Sequence, residues 1–242
     1  MPRRSRHDMN SLLQAGEQTV SSAMLHAAWP PLGSNKAGTC KTMTEPESHS
    51  PCEPDSDRSA IGVDLSKYDQ RGYTPGAGAL KRAAWYIVNA LFFDSWLFPW
   101  SAPKRALLRL FGATVGTGVV IKPRVNIKYP WHLQIGSNTW MGEGAWIDNL
   151  ASVVIGSNAC ISQGAYLLTG NHDYRDPRFA LLTGEISIAD GAWVGARAIV
   201  GPGVRMGRES VLTAGSLLTV DADPHIVYRG NPATPVRSRI GT

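Results

Sequence analysis

The chain has 242 residues, of which 43% are hydrophobic, and its 24 Lys and Arg against 19 Asp and Glu give a formal net charge of +5. This length suits one or two packed domains, and the modest charge gives no reason to expect a nucleic-acid partner. The three cysteines have no even, regular spacing, which excludes a disulfide framework or a zinc-finger site and favours a reducing, cytoplasmic setting; no bound metal is expected.

Residues 1–70 are predicted to form a disordered N-terminal extension. The stretch "NKAGTCKTMTEPESHSPCEPDSDRS" is rich in Ser, Thr, Pro, Glu and Gly and lacks the apolar periodicity that would offset the entropy of ordering. The basic start "MPRRSRHDMN" is not followed by an apolar run, so we expect no secretory signal. No catalytic group is expected in this segment.

Residues 71–112 form a basic, aromatic-rich segment that we expect to be helical. The apolar run 80–100 is interrupted by Asn89, Asp94 and Pro99, so a membrane span is not expected. The alternatives are a helix docked on the main domain and peripheral membrane contact through residues 80–111, at the inner face of the membrane. "KRALLRLFGA" predicts a short amphipathic helix that stops at Gly112.

Basic residues are concentrated between residues 81 and 128, where Asp94 is the only acidic residue. Such a patch could meet an anionic ligand, a phosphorylated cofactor or an acidic membrane surface, or it could be a solvated face. The basic residues are Lys81, Arg82, Lys104, Arg105, Arg109, Lys122, Arg124 and Lys128.

From Val115 onward, aliphatic residues recur every six positions, with a shift of two residues after Leu133 and after Val153. A period of six is typical of a solenoid. The fourth residue after each aliphatic one is mostly small, and both share the inward face of a strand because strand sides alternate. Three units would close one coil, and stacked coils bury a continuous column. Residues 113–242 are therefore predicted to form an all-β domain, a parallel β-helix. The aliphatic series is Val115, Ile121, Ile127, Leu133, Ile135, Met141, Ile147, Val153, Ile155, Ile161, Leu167, Ile188, Val194, Val200, Met206, Leu212 and Leu218.

The motifs "YPWHLQIGSNTWMGEGAWIDN", "CISQGAYLLTGNHDY", "ISIADGAWVGARAIVGPGVRMG" and "YRGNPATPVR" resemble the hexapeptide-repeat acyltransferases. The closest likeness is to colanic-acid-type sugar O-acetyltransferases and the related galactoside and maltose acetyltransferases. The resemblance implies a left-handed β-helix, acetyl-CoA as acyl donor, a homotrimer, and a sugar or lipid-linked oligosaccharide acceptor bound between neighbouring subunits.

The repeat is interrupted between Leu167 and Ile188, and the intervening loop 168–187 contains "GNHDYRDP". Long excursions from a regular scaffold are usually functional. A neutral imidazole can take the proton of a sugar hydroxyl as that hydroxyl attacks a thioester. The resemblance places the family's catalytic base on His172; the alternative is a solvent-exposed loop histidine.

Other loop and outward-facing residues are candidates for acceptor binding. Asp173 could orient the base or cap the turn, and Arg175 could meet an acidic sugar or the cofactor phosphates. Trp146 and Tyr166 should lie one coil apart on one outer face, covered by a partner subunit, by the N-terminal helix or by a sugar ring. The remaining candidates for acceptor contacts are Asp148, Asn149 and Glu143, with corner capping as the alternative for Asp148.

For acetyl-CoA, the resemblance points to the last coils and the C-terminal tail. It places Trp193 beside the thioester, Ala214 and Thr219 along the pantetheine arm, and Arg237 at the phosphates. Ala196 stands where a Ser is common and Val220 where a Lys is frequent, which weakens the match at these two cofactor positions.

The sequence thus predicts an O-acetyltransferase that moves acetyl from acetyl-CoA to a sugar, with an exopolysaccharide precursor as the favoured acceptor. Direct transfer is expected, because Cys160 is read as a structural residue. The alternatives are an acetyltransferase for a small glycoside or an antibiotic, and a non-catalytic β-helix scaffold. A zinc enzyme on the same fold is disfavoured, because His132, His172 and His225 are scattered without a supporting motif.

Overall fold

The computed structural model describes residues 62–240. Residues 1–61 of the disordered extension predicted for residues 1–70 therefore lie outside the described residues. Residues 62–70 are described, and they differ from that prediction because they include a short 3-10 helix, Leu65–Lys67, that is capped by the Asp64 side chain. This segment lies against the loop that interrupts the repeat and forms backbone hydrogen bonds with it.

Two short helices precede the β-helix and dock on its first coil. Helix α1 (Ala79–Val88) continues into a π-helical turn, Asn89–Phe93, and helix α2 (Ser101–Leu110) ends just before Gly112, which has a positive φ of 105°. The Trp85 side chain is buried and its indole N–H donates to the Ile127 carbonyl over 2.8 Å. The segment is therefore docked on the main domain, and none of the helices within residues 62–240 has both the length and the apolar character needed to cross a membrane.

The rest of the described chain consists of short strands, nearly all of them two or three residues long. They are β1 (Thr114–Val115), β2 (Val120–Ile121), β3 (Asn126–Ile127), β4 (Leu133–Ile135), β5 (Trp140–Met141), β6 (Trp146–Asp148), β7 (Val153–Ile155), β8 (Cys160–Ile161), β9 (Tyr166–Leu168), β10 (Gly170–His172), β11 (Leu181–Thr183), β12 (Ile186–Ile188), β13 (Trp193–Val194), β14 (Ile199–Val200), β15 (Arg205–Met206), β16 (Val211–Leu212), β17 (Leu217–Leu218), β18 (Ile226–Gly230) and β19 (Ala233–Ser238).

Apart from β10 and β11, which form a separate two-stranded sheet, these strands form three sheets that make the sides of the solenoid. Sheet 1 has the order β1-β4-β7-β12-β15, sheet 2 the order β2-β5-β8-β13-β16-β18-β19, and sheet 3 the order β3-β6-β9-β14-β17. Neighbouring strands are parallel, except that β19 folds back antiparallel on β18. The all-β prediction, a left-handed parallel β-helix built from hexapeptide repeats and preceded by short helices, is confirmed.

Register between coils follows the spacing of the aliphatic residues. Ile121 pairs with Met141, twenty positions later, whereas Val194 pairs with Leu212, eighteen positions later. Three hexapeptides account for eighteen residues, and the two extra residues of the early coils lie between sheets 3 and 1. The inward positions are closed to solvent, as expected, because aliphatic side chains and the small residues Ala145 and Ala165 are fully buried.

Helix α2 covers the open end of the first coil with basic side chains. The ammonium group of Lys104 donates to the Lys122 carbonyl, Arg105 donates to the Val119 carbonyl, and Arg109 donates to the Val115 and Gly116 carbonyls. A terminal coil presents main-chain groups that no further coil can pair, so a cap is required. Part of the basic patch seen in the sequence therefore caps the solenoid and is not available to a ligand.

Lys104 predicts a pH dependence of stability. It is fully buried, and burial lowers the pKa of its ammonium group to about 8. Between that pH and about 10.4, the usual lysine value, the unfolded chain binds more protons than the folded chain, so stability rises with pH. We expect the free energy of unfolding to increase from pH 7.5 to pH 10 by about 2 kcal/mol more in the wild type than in Lys104→Met. Urea denaturation at both pH values measures this; equal increments in the two proteins would contradict it, and Lys81→Met, at an exposed lysine, is the control.

Several large apolar side chains of the helical segment remain exposed in the single chain. Leu91, Trp96, Leu97 and Trp100 each expose more than half of their surface. Exposed apolar groups of this size usually mark a contact surface. Membrane contact through residues 80–111 and the cytoplasmic location stay predictions.

Candidate active site

The loop that interrupts the repeat begins and ends in a short antiparallel hairpin. Strand β10 pairs with β11, so that Gly170 lies opposite Thr183 and His172 lies opposite Leu181. The root of the hairpin is fixed to the preceding coil, because the buried Thr169 hydroxyl donates to the Asp148 carbonyl over 2.7 Å and accepts from the Ala151 N–H. The rigid β-helix therefore holds the strand that carries His172.

The imidazole of His172 is half-buried and has one ring nitrogen engaged. Its Nδ1 lies 3.1 Å from the Phe179 carbonyl oxygen, and its ring stacks on the Phe179 ring with centroids 4.3 Å apart. A carbonyl oxygen can only accept, so Nδ1 carries a proton, and in the neutral form of the ring Nε2 is then the nitrogen with the lone pair. No protein hydrogen bond to Nε2 occurs among residues 62–240. The arrangement fixes the ring through Nδ1 and leaves Nε2 as the nitrogen that could face an acceptor hydroxyl.

Phe179 holds this carbonyl in a costly backbone conformation. Its φ is +49°, in the left-handed region that bulky residues avoid, and its N–H donates to the Asp176 carbonyl over 2.7 Å. Local strain of this kind persists when surrounding contacts impose it, and it is concentrated at functional sites. Phe179 was not among the residues singled out from the sequence, because its role depends on a turn conformation and not on residue type.

The two charged neighbours of His172 in the loop have other partners. Asp173 Oδ1 accepts from the Arg175 N–H over 3.1 Å, and Asp173 Oδ2 lies 3.3 Å from the Arg71 guanidinium. The orienting partner of His172 is the Phe179 carbonyl, so Asp173 takes the turn-capping alternative and pairs with Arg71. Arg175 is exposed and lies over the Tyr174 ring, 5.5 Å from its centroid. Its acceptor contact stays a prediction.

Trp146, Asp148 and Tyr166 form a cluster on sheet 3 beside the root of the hairpin. The Trp146 and Tyr166 rings are stacked, with centroids 4.8 Å apart, as expected for residues one coil apart. Asp148 is nearly buried; it accepts from the Tyr166 hydroxyl over 3.1 Å and pairs with Lys128 over 2.9 Å. Burial, with the Asp148 charge as the second cause, raises the pKa of Tyr166 to about 12, so this hydroxyl stays protonated.

A groove of about 490 Å³ runs between helix α1 and sheet 3 at this cluster. Trp146 lies at its edge with nearly half of its surface exposed, beside Lys128 and Tyr129 of the preceding coil. Arg82 and Asn89 of the helical segment line the other side. An aromatic face flanked by charged and amide groups can stack on a sugar ring and bind its hydroxyls.

The side chain of Asn149 is directed at the main chain and not at the surface, where the sequence prediction placed an acceptor contact. Its side chain is fully buried, accepts from the Tyr129 N–H over 2.9 Å and donates to the Tyr129 carbonyl over 2.6 Å. This amide pairs with the main chain of the coil below, because the two extra residues of that coil leave peptide groups without a strand partner.

Two of the predicted cofactor residues, together with Glu143, lie at a different corner of the coil from His172. Glu143 and Ala196 follow strands of sheet 2 and precede strands of sheet 3, a position that we call the 2–3 corner. Ala214 occupies the same corner one coil further on, where the Gly215 N–H donates to the Ala196 carbonyl. His172 and Asp148 lie at the 3–1 corner, where sheet 3 leads to sheet 1. Within one chain, the residues at the 2–3 corner are therefore separated from those at the 3–1 corner by the width of sheet 3.

Trp193 points outward from sheet 2 and lines a cavity of about 410 Å³ with Trp140 and Cys160. Its indole N–H donates to the Ser162 hydroxyl over 2.8 Å, which fixes the ring. Thr219 and Val220 are exposed at the 3–1 corner of the last coil, and Arg237 is exposed on β19. All of these positions are on the surface except Ala196, which is half-buried, and their roles towards acetyl-CoA stay predictions.

The site and fold define the chain as a hexapeptide-repeat acyltransferase. A family model for the hexapeptide repeat of succinyl-transferase matches residues 185–220. The Escherichia coli (strain K12) protein named as colanic acid biosynthesis acetyltransferase WcaF is 37% identical over 183 residues, which cover 74% of this chain and 98% of that protein. The chain therefore belongs to the hexapeptide-repeat acetyltransferases, the family that includes WcaF.

Further relatives share the same domain. The galactoside O-acetyltransferase of Escherichia coli (strain K12) is 30% identical over 137 residues, covering 55% of this chain and 68% of that protein. A galactoside acetyltransferase solved in complex with coenzyme A superposes with a TM-score of 0.61 at 26% identity, covering 74% of this chain and 92% of that one. A Vibrio cholerae acetyltransferase complexed with acetyl coenzyme A has the same fold, with a TM-score of 0.63 at 24% identity, covering 73% of this chain and 98% of that one.

Proposed function

We propose that this protein transfers acetyl from acetyl-CoA to a hydroxyl of a sugar, in an exopolysaccharide precursor, with His172 as the general base. The observation that carries the proposal is the fixed tautomer of His172, with Nδ1 bonded to the Phe179 carbonyl and Nε2 open. The named activities of WcaF and of the galactoside acetyltransferase support the donor and the class of acceptor.

The proposed reaction is a direct transfer in a ternary complex. As the acceptor hydroxyl oxygen forms the new ester bond to the thioester carbonyl carbon, its proton passes to Nε2 of His172. The bond between carbon and sulfur then breaks, and the proton passes from the imidazolium to the departing thiolate. The Phe179 carbonyl stabilises the transient positive charge through its hydrogen bond to Nδ1.

We also propose that the working enzyme is a homotrimer with shared active sites. Trp193 and Ala196 lie on sheet 2 and the 2–3 corner of a chain, whereas His172 and Asp148 lie at its 3–1 corner. Packing the 3–1 corner of one subunit against the 2–3 corner of its neighbour would bring the base and the donor together. A head-to-tail contact of this kind can close into a ring, and the proposed ring has three subunits.

The decisive experiment is mass spectrometry of acceptors incubated with acetyl-CoA and the purified protein. A panel should contain oligosaccharide repeat units, lipid-linked sugars, simple galactosides and maltose, and chloramphenicol. A mass increase of about 42 Da on the oligosaccharides is the expected result for one acetyl group. Acetylation restricted to the simple glycosides or to chloramphenicol would refute the acceptor class, and acetylation of no member would favour a scaffold.

Trp146 predicts a selective effect on the acceptor. We expect Trp146→Ala to raise the KM of the acceptor about tenfold, because a stacking surface is lost, and to leave the KM of acetyl-CoA unchanged. Initial-rate kinetics with each substrate varied measures the two constants, and light scattering checks the oligomer. Trp140→Ala, at an outward tryptophan of sheet 2, is the matched control and should leave the acceptor KM unchanged. An unchanged acceptor KM in Trp146→Ala would show that this ring does not contact the sugar.

A further inference from the structure

Residues 62–73, which we call the strap, run along the tip of the hairpin that carries His172. The Asp64 N–H donates to the Pro177 carbonyl over 2.8 Å, and the Asp69 N–H donates to the Arg178 carbonyl over 3.1 Å. The Asp69 carbonyl in turn accepts from the Leu181 N–H over 2.9 Å. The two bonds of Asp69 therefore bracket Phe179, whose carbonyl orients His172.

Charged side chains tie the strap to the same tip. The Arg71 guanidinium lies 3.3 Å from Asp173 and 3.5 Å from Asp176, and the Arg178 guanidinium lies 3.0 Å from Asp69. Isolated exposed ion pairs contribute little, but a cation shared by two carboxylates restricts both ends of the turn. Arg71 thus links the residue after His172 to the turn that contains Phe179.

An aromatic contact joins the strap to the imidazole itself. The Tyr68 ring lies 5.8 Å from the His172 ring, between centroids, at an angle of 58°. His172 therefore has two aromatic neighbours, Phe179 from its own hairpin and Tyr68 from a segment about a hundred residues earlier. The hydroxyl of Tyr68 makes no hydrogen bond among the described residues, so its contribution comes from the ring.

The hairpin needs such support. A two-stranded hairpin of three residue pairs is at best marginally stable in water by itself. The left-handed conformation of Phe179 adds a further cost, because a residue with a Cβ is strained there. Contacts from outside the hairpin must offset this cost if the Phe179 carbonyl is to stay in place, and the strap supplies them on both sides of that residue.

We propose that the strap positions the catalytic base, with Tyr68 and Arg71 as positioning residues that act through the Phe179 carbonyl and the His172 ring. The inference rests on the proposed role of His172. It assigns a function to a segment that spans the end of the extension predicted to be disordered, residues 62–70, and the start of the segment predicted to be helical. The activity of the enzyme then depends on a segment outside the β-helix.

The test uses point variants of the full chain. Tyr68→Ala and Arg71→Ala should each lower kcat by about tenfold to a hundredfold, because a misplaced base reacts poorly, and should leave the KM of acetyl-CoA unchanged. Tyr68→Phe and Arg71→Lys keep the ring and the charge, and we expect them to stay within about threefold of the wild type. Lys67→Ala, at an exposed lysine of the strap that pairs with Asp64, is the matched control.

Hydrogen–deuterium exchange provides the second readout. In Arg71→Ala, the amides of residues 178–181 should exchange faster, whereas those of the coils should be unchanged. Normal kcat with unchanged exchange in both alanine variants would overturn the proposal. An equal decrease in kcat in Tyr68→Phe and Arg71→Lys would assign Tyr68 and Arg71 a general structural role, as would faster amide exchange throughout the coils. Either result would also overturn the proposal.

His172→Ala separates this inference from the proposed function. If His172→Ala is inactive while the strap variants behave like the wild type, the strap proposal fails and the proposed function stands. If His172→Ala retains full activity, the proposed function fails at its base, whatever the strap does.

Discussion

Replacing His172 by alanine is expected to lower kcat for acetyl transfer by about a thousandfold, within the range for loss of a general base. In the proposed mechanism Nε2 takes the proton of the acceptor, and within residues 62–240 the other ring nitrogen is bonded to the Phe179 carbonyl. The hairpin is held by its root and by the strap, so the fold should not change. Steady-state kinetics with acetyl-CoA and an acceptor that the wild type acetylates measures the decrease in kcat.

His172→Gln is the matched control, because it keeps a polar side chain of similar length but has no basic nitrogen. We expect it to be as inactive as His172→Ala, with unchanged oligomeric mass and unchanged acetyl-CoA binding by calorimetry. Retention of activity within tenfold in both variants would place the base elsewhere. A merely exposed loop histidine would give that result.

Replacing Gly142 by valine is expected to lower the free energy of unfolding by about 3 kcal/mol, the upper range for overpacking. A Cβ at this position would lie 2.6 Å from the Gln163 nitrogen, 2.8 Å from the Ser162 carbonyl carbon and 3.1 Å from the Gln163 Cα. These atoms belong to the backbone of the next coil, so they cannot move away as a flexible side chain would. Urea denaturation of the two proteins measures the difference.

Gly144→Ala is the control for this prediction, two residues further along the same coil. A Cβ there meets no atom within 4 Å, but the backbone has a φ of +68°. We expect Gly144→Ala to lower the free energy of unfolding by about 1 kcal/mol, from the left-handed conformation alone. If Gly142→Val lowers the free energy of unfolding no more than Gly144→Ala does, Gly142 does not limit the spacing between coils.

The period of six and its small inward residues were sufficient to predict the β-helix. Each strand needs only one aliphatic and one small inward residue, so the core follows from residue type and spacing. The break after Leu167 likewise predicted the excursion that carries His172, and the outward stacking of Trp146 on Tyr166 was expected from a count of one coil.

Roles that depend on hydrogen-bond partners were not predictable from residue type. Asn149 is a polar residue after a strand, as an acceptor contact would be, yet it is buried against the Tyr129 main chain. Asp173 follows the base directly, yet its carboxylate binds Arg71 from a distant part of the chain. Lys128 pairs with Asp148 because coils of twenty residues place them at neighbouring positions.

The sequence by itself determined the solenoid and its interruption, because both are written in local spacing, and its resemblance to a known family singled out His172 as the proposed base. Only the tertiary structure decided what orients His172 and what holds its hairpin. The strap meets the hairpin about a hundred residues later in the chain, through backbone bonds of Asp69 that carry no side-chain signature. Contacts between main-chain groups far apart in sequence are fixed by the folded arrangement, and composition alone could not distinguish this segment from a disordered one.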